Sequence, residues 1–291
     1  MGRRWWVVVV AVVAGVAVLV APRAADRTAR VSSAVPASAA AENPRPAAPR
    51  AVEAPAPDLS AAVARAVEAA GDADLGLAVV DLETGAAAGH DADVPFRSAS
   101  LSKLLVAVDV LTSGEVPADD LDRLGRALSL SDDDAMNALW TSHDGMGAID
   151  RVSAQAGLTA THAPEDASQW GDVEMSAADV ASLYRYAVTD LPAARRAFFV
   201  TALSAASPTA ADGFDQAYGL LAPGAEAHVC AKQGWMWYLS GDFYLHSSGI
   251  VADRYAVVAL SVQTGVTEEA AKDRLTAVTN TLVAGLADQT G

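Results

Sequence analysis

Residues 98–111 read SASLSKLLVAVDVL, and this stretch decides how the rest of the chain is interpreted. From Leu101 to Leu111 apolar side chains fall on nearly all sides of a helix, which indicates a helix buried within a helical region. Ser100 stands at the start of that helix, and Lys103 lies one turn further along. The stretch therefore predicts a core element with polar groups at its N-terminus.

Ser100 and Lys103 are the first candidate catalytic pair, because residues three apart share a face of a helix. Backbone N–H groups at a helix start can stabilise an oxyanion. A partly desolvated lysine with a lowered pKa can accept the proton of the serine hydroxyl. The simpler alternative is a capping serine beside an ordinary lysine. The chain holds only three lysines, which makes a chance pairing less frequent.

Ser131, Asp132 and Asp133 open another predicted helix and form the second candidate motif. Serine caps helices well and acids suit the first turn, so these residues could serve the helix alone. In the functional alternative, the hydroxyl of Ser131 relays a proton to a leaving nitrogen. The sequence leaves both interpretations open.

Lys232, Gln233 and Gly234 form the third motif, within a predicted strand, and Trp235 follows them. A lysine inside an apolar strand is costly unless its charge is paired or used. Gly234 lowers strand propensity and often marks the close approach of another backbone or a ligand. The alternative is an edge strand whose lysine reaches solvent along its apolar stem.

Helices are predicted at 58–70 and 267–287, with strands beside each of them. The predicted strands lie near both chain ends, at 75–82, 86–90, 229–238, 242–251 and 255–263. Between 98 and about 222 the patterns are mostly helical. We therefore predict an α/β (α+β) fold in which both chain ends build an antiparallel five-stranded sheet, flanked by the terminal helices, beside an all-helical lobe. A cleft between two such lobes is a natural ligand site.

Three regions are predicted along the chain. Residues 1–22 hold basic residues and then an apolar run, which indicates a signal peptide or signal-anchor. Residues 23–57 are rich in Ala and Pro without an apolar period, so a disordered linker is predicted. Residues 58–291 would form the folded domain, secreted or anchored to the outer face of the cytoplasmic membrane.

The composition excludes several classes of function. With 36 acidic against 20 basic residues the net charge is −16, whereas a nucleic-acid partner requires a basic surface. Cys230 is the only cysteine, so no intrachain disulfide can form. The histidines show no paired metal-ligand spacing. No metal and no cofactor are therefore expected. The oligomeric state cannot be read from the sequence and a monomer is taken as the default, with membrane contact only through the N-terminal segment.

In this order the three motifs resemble those of the serine enzymes that recognise penicillin, namely class A β-lactamases and penicillin-binding proteins. Residues 170–179, WGDVEMSAAD, add a fourth marker, because they resemble the end of that family's omega loop. The resemblance covers roughly 58–287, and the family's order of elements matches the predicted one.

The resemblance implies a role for each motif. Ser100 would attack a β-lactam or peptide carbonyl, with Lys103 as the general base. Ser131 would pass a proton toward the leaving nitrogen, and Lys232 would supply positive potential for Ser131 and for a substrate carboxylate. The backbone N–H groups of Ser100 and Trp235 would form the oxyanion hole.

The substrate-binding residues implied by the resemblance are Asp133, Gln233, Gly234 and Trp235, and three of them depart from the family pattern. Asp133 replaces the usual Asn, which could reduce the positive potential at Lys103 or raise the pKa of that lysine. Gln233 replaces a small hydroxyl residue, so a substrate carboxylate would be held differently. Trp235 is large where small residues are usual, which would narrow the cleft.

The deacylating base is the most serious departure. Class A enzymes place a glutamate about ten residues before the omega-loop aspartate, but counting back from Asp172 gives His162. Glu165 and Asp166 could serve if the loop is shorter, and His162 is another conceivable base. Without such a base the enzyme would acylate and then stall.

Three functions remain open at this point. The first is an exported β-lactamase-type serine hydrolase that opens a β-lactam amide through an acyl-Ser100 intermediate. The second is a D,D-peptidase or penicillin-binding-like enzyme that acts on peptidoglycan peptides, which the missing glutamate favours. The third is a non-catalytic protein that binds a cell-wall ligand or a protein partner.

Overall fold

The computed structural model describes residues 58–224, 227–238 and 241–287. The predicted signal segment at 1–22 and the linker at 23–57 lie outside the described residues. Among those described, no helix is both long enough and apolar enough to cross a membrane.

A five-stranded antiparallel sheet forms the centre of the molecule, with the strand order β2-β1-β7-β6-β5. The two strands from the N-terminal side are β1 (Asp74–Asp81) and β2 (Ala87–His90). The three from the C-terminal side are β5 (Val229–Trp237), β6 (Asp242–Val251) and β7 (Tyr255–Thr264). This confirms the predicted sheet, and it makes β5 an edge strand.

Both faces of the sheet are buried, because alternate residues of β7 enter different cores. Val257 and Ala259 pack with the terminal helices α1 (Leu59–Ala70) and α8 (Glu268–Ala287). Val258 and Leu260 pack with the helical lobe on the other face.

The helical lobe contains the predicted buried helix, α2 (Ser102–Thr112), in which all residues except Thr112 are buried. The helices that follow are α3 (Ala118–Ser129), α4 (Asp133–Ser142), α5 (Gly145–Ala156), α6 (Ala177–Thr189) and α7 (Ala193–Ser204). Amphipathic spacing explains the lobe, because each of these helices buries one face against the same core.

A second, two-stranded sheet was not predicted. It pairs β3 (Pro95–Arg97) with β4 (Glu174–Ser176) in antiparallel register. Each strand has three residues, which is too short to show a period of two. The pairing matters for the site, because β3 leads directly into residues 98–101.

Candidate active site

Ser100 lies in a 3₁₀ turn, Ala99–Leu101, that joins β3 to α2. The turn is closed by a hydrogen bond from the Leu101 N–H to the Ser98 carbonyl, at 3.0 Å. Ala99 has a φ of 48°, in the left-handed region that residues with a Cβ rarely adopt. Such strain is found at functional sites, where the surrounding structure holds it in place. The Ser100 side chain is thereby fixed at the N-terminus of α2, facing a cleft.

Lys103 joins the first two motifs, because its amine contacts Ser100, Ser131 and Asp133. Its Nζ lies 2.7 Å from Ser100 Oγ and 2.6 Å from Asp133 Oδ1. It also lies 2.9 Å from the Ser131 carbonyl oxygen and 3.3 Å from Ser131 Oγ. Burial lowers the pKa of Lys103, although the Asp133 carboxylate opposes that shift. Ser100 therefore has a candidate base within hydrogen-bond distance.

Ser131 is not the cap of α4. Asp132 takes that role, because its Oδ1 accepts a hydrogen bond from the Ala135 N–H at 2.9 Å. Ser131 adopts a φ of 55°, and its Oγ lies near both lysine amines. The capping interpretation of this serine is therefore wrong, and its hydroxyl lies among the lysine amines.

Lys232 completes the cluster from the far end of the chain. Its Nζ donates to Ser131 Oγ and to the Gln233 carbonyl oxygen, each at 2.8 Å. The residue is 1% exposed, so its stem does not carry the amine to solvent. Burial holds the pKa of Lys232 well below its usual range, and the nearby Lys103 amine lowers it further. The two lysines and two serines form one continuous hydrogen-bonded cluster.

Gln233 does not line the cleft with its side chain, which corrects the expectation from sequence. Neighbouring strand residues point to opposite faces, so Lys232 and Gln233 cannot both reach the cluster. The Gln233 amide is fully buried and donates to the backbone carbonyl of Tyr218. Gln233 contributes to the site only its backbone carbonyl, which accepts a hydrogen bond from the Lys232 amine.

Gly234 lets β5 approach the turn that carries Ser100. A Cβ at this position would lie 3.0 Å from the Ser98 carbonyl oxygen and 3.4 Å from Leu101 Cγ. Those two residues flank Ser100, so the glycine permits close packing of the strand against the turn. The close approach that the sequence indicated at Gly234 is therefore present.

Trp235 forms part of the cleft wall. Its ring stacks on Phe214 with a centroid separation of 4.4 Å and an interplanar angle of 11°. The Lys232 amine lies 6.0 Å from the ring centroid. The wall is aromatic where the resemblance led us to expect a small residue.

Glu165 and Asp166, the acids that could serve as the deacylating base if the loop were shorter, do not line the cleft. Both are exposed, and Asp166 Oδ1 accepts hydrogen bonds from the N–H and the hydroxyl of Ser168. His162 is also exposed and pairs through its backbone with Glu174. Local turn and strand contacts thus hold this loop with its acids outward.

Trp170 occupies the position beside Lys103 instead. Its ring centroid lies 4.5 Å from Lys103 Nζ, which is close enough for a cation–π contact. Its indole N–H donates to Asn137 Oδ1 at 2.8 Å. The sequence drew attention to 170–179 only as a loop marker, and no local pattern assigned Trp170 or Asp212 to the site.

The cleft has a volume of about 370 Å³ and opens beside Ser100. Two of the residues that line it carry charge, and both are acidic: Asp133 and Asp212. Lys103 and Lys232 are buried and do not line it.

A separate group lies at the start of β5, where Cys230 stands two residues before Lys232. His228, Cys230 and Asp253 bring potential metal-ligating atoms within 4.8 Å of one another, although none of these residues lines the cleft. Spacing along the sequence missed this grouping, because Asp253 comes from the β6–β7 turn. Cys230 is buried, and its thiol contacts the Ser204 hydroxyl at 2.9 Å.

Comparison with protein families gives a match to the β-lactamase enzyme family over residues 58–122. That range holds α1, β1 and the Ser100–Lys103 turn, which is the part of the chain that carries the first motif.

Curated relatives are found in Mycobacterium bovis and Mycobacterium tuberculosis, both named "Putative lipoprotein LppW". Each is 30% identical over 205 residues, which is 67% of this chain and 65% of the relative. The chain thus spans 65% of the length of these relatives.

Solved structures share the fold at low sequence identity. A β-lactamase from Chitinophaga pinensis is 17% identical with a TM-score of 0.62, covering 76% of this chain and 98% of that one. A class A β-lactamase representative from Bacteroides cellulosilyticus is 13% identical with a TM-score of 0.65, covering 78% and 99%. At these identities the similarity shows the class A β-lactamase fold and does not extend to activity.

Proposed function

This chain is a divergent β-lactamase-like protein, and from that premise we propose that it is an exported serine hydrolase that is acylated at Ser100 by a β-lactam or a related amide. The observation that carries the proposal is the 2.7 Å separation between Ser100 Oγ and Lys103 Nζ. A neutral amine at that distance can accept the hydroxyl proton as the serine attacks.

In the acylation step, the Ser100 proton passes to neutral Lys103 while the Oγ–carbon bond forms. The carbonyl electron pair moves onto its oxygen, for which the backbone N–H groups of Ser100 and Trp235 are the proposed donors. The lowered pKa of Lys103 supports this step, because it increases the neutral fraction of the amine.

The leaving nitrogen receives its proton through Ser131. Lys103 and Lys232 lie 3.3 Å and 2.8 Å from Ser131 Oγ. As the carbon–nitrogen bond breaks, Ser131 donates its hydroxyl proton to the nitrogen and regains one from a lysine. The nitrogen of the β-lactam ring or of the peptide becomes an amine, and the acyl group stays on Ser100.

A second candidate function, a D,D-peptidase or penicillin-binding-like enzyme acting on peptidoglycan peptides, is favoured by the loop around Trp170. An indole, rather than a carboxylate, stands beside Lys103, and Glu165 and Asp166 point away. Such a site would acylate readily and release a β-lactam acyl group slowly. Of the two functions, the penicillin-binding-like one, with slow release of the acyl group, fits this loop better. Both functions share the same acylation step.

The test incubates the purified full-length chain with a labelled penicillin and a chromogenic cephalosporin, beside the variant Ser100→Ala. A stable adduct on Ser100 without turnover supports the second function, and turnover supports the first. An absence of adduct and turnover in the parent chain would leave a non-catalytic binding protein. Mass spectrometry of the labelled peptide locates the attachment, and a circular dichroism spectrum shows that the variant is folded.

The proposed location is the outer face of the cytoplasmic membrane or beyond it. Support comes from the apolar run near the N-terminus and from relatives whose names describe lipoproteins. Alkaline phosphatase fused after residue 57 tests it, since the fused enzyme is active only when it is exported.

A further inference from the structure

The acidic residues at the cleft mouth bear on which substrates can enter. Asp133 has a side chain that is 61% exposed, and only its Oδ1 is paired with Lys103. Asp212 is exposed on the same cleft. Among the residues described, no arginine or lysine lines this cleft.

Asp212 is held in place rather than loosely exposed. Its Oδ1 accepts a hydrogen bond from the Phe214 N–H at 2.9 Å. Phe214 in turn stacks on Trp235 of the cleft wall. The Asp212 carboxylate is therefore fixed at the cleft by a turn that packs against β5.

The charge of the site depends on the state of Lys103. When both lysines are charged, they balance Asp133 and Asp212. When Lys103 is neutral, as proton transfer from Ser100 requires, at most one buried ammonium faces two carboxylates. The site then carries a net negative charge, in a chain whose overall charge is −16.

The groups that could bind an anion in this cleft are already engaged or face away from it. Lys232 is buried, and its amine is engaged by Ser131 and by the Gln233 carbonyl. The Gln233 side chain faces the core. A substrate carboxylate thus meets two exposed acids and a single, already hydrogen-bonded amine.

We propose that this cleft selects acyl compounds that carry a protonated amine over compounds whose charges are all negative. The recognition is electrostatic, with Asp133 and Asp212 as the specificity-determining carboxylates. The expected difference in acylation rates rests on the proposed function. The expected difference in binding does not require a reactive serine.

The probes are three penicillins that share a phenylacetyl side chain and carry an amino group, a hydrogen or a carboxylate at the α-carbon. Acylation of the full chain should be fastest with the amino compound and slowest with the carboxylate compound. We expect a difference of about tenfold between them at low salt, reduced at high salt. Equal rates, or a faster reaction of the carboxylate compound, would overturn the inference and leave the proposed function standing.

The variant Asp212→Asn should reduce the preference by about threefold, since it removes one charge while Oδ1 still accepts the Phe214 N–H. Asp273→Asn is the matched control, because Asp273 is an exposed acid on α8 that does not line the cleft. The control should keep the full preference. An unchanged preference in Asp212→Asn would remove Asp212 from the proposal.

A binding measurement separates this inference from failure of the chemistry. Ser100→Ala is titrated with the same three penicillins by isothermal calorimetry, where no adduct can form. The amino compound should bind most tightly even if the parent chain shows no acylation. Binding in the reverse order, or no binding of the amino compound, would refute the inference.

Discussion

Asp133 Oδ1 lies 2.6 Å from Lys103 Nζ, and Lys232 reaches the same cluster through Ser131 Oγ, at 2.8 Å. The ion pair favours the charged form of the Lys103 amine, whereas burial favours the neutral form. Burial is the stronger influence and lowers the pKa of Lys103. The aspartate thus limits how much neutral base is present at a given pH.

The variant Asp133→Asn should therefore shift the acidic limb of the acylation profile to lower pH by about one unit, because the amine loses the charge that stabilises its protonated form. The measurement is the rate of Ser100 labelling from pH 5 to pH 9. Asp134→Asn, an exposed neighbour on the same turn, should leave the profile in place. A profile unchanged by Asp133→Asn would contradict the assignment of Lys103 as the base.

Replacing Lys232 by methionine should separate activity from stability. Ser131 loses its closest lysine partner, so we expect acylation to fall about a hundredfold. The free energy of unfolding should be equal or higher, because a buried cation is replaced by an apolar side chain of similar length. Denaturant titration and labelling kinetics measure the two effects. Arg274→Met, a change at the Arg274–Asp72 ion pair on α8 that does not line the cleft, should keep the labelling rate.

Gly234→Ala tests the close packing of β5 against the turn that carries Ser100. The added Cβ would lie 3.0 Å from the Ser98 carbonyl oxygen, so the strand or the turn must shift. We expect a loss of about 1–3 kcal/mol in unfolding free energy and slower labelling. Gly125→Ala, in α3 with open space around the new Cβ, should be neutral or stabilising. Equal stabilities of the two variants would argue against tight packing at Gly234.

Glu165→Gln and Asp166→Asn should leave the lifetime of the Ser100 adduct unchanged within about twofold, since both acids are exposed outside the cleft, where solvent and salt screen their charges. The lifetime is followed by intact-protein mass spectrometry after excess penicillin is removed. A tenfold longer lifetime in either variant would show that the loop rearranges to present that acid.

His246 predicts a specific pH dependence of stability. Burial lowers its pKa to about 4 from an ordinary 6.5, and its Nε2 bonds the Arg97 carbonyl. Between these values the unfolded chain binds more protons, so the free energy of unfolding falls as the pH drops through this window. The contribution lost below pH 4 is about 3 kcal/mol. His246→Gln should flatten this slope, whereas His90→Gln, on the exposed strand β2, should not.

Much of the fold was predictable because its signals are local. The buried helix α2 follows from apolar residues on all its sides, and the strands from alternation and turn residues. The residues of the lysine–serine cluster were also predictable, because each motif is a short run along the sequence. Strand alternation alone also implies that Gln233 faces away once Lys232 faces the cleft, although the motif resemblance pointed the other way.

The remaining site residues depend on tertiary packing. Trp170 reaches Lys103 because its loop is pinned to α4 through Asn137. Asp212 reaches the cleft because its turn stacks on Trp235 through Phe214. Neither contact has a counterpart in spacing along the chain, so the aromatic neighbour of the base and the second acid were not anticipated.

The left-handed backbone at Ala99 and Ser131 links reactivity to the rigidity of the whole domain. Each such residue costs on the order of 1–3 kcal/mol, which the surrounding packing must supply. If that packing loosens, these two bends should relax before the helices and the sheet come apart. Mild heating or low urea should therefore abolish the labelling of Ser100 while the far-ultraviolet circular dichroism spectrum remains native.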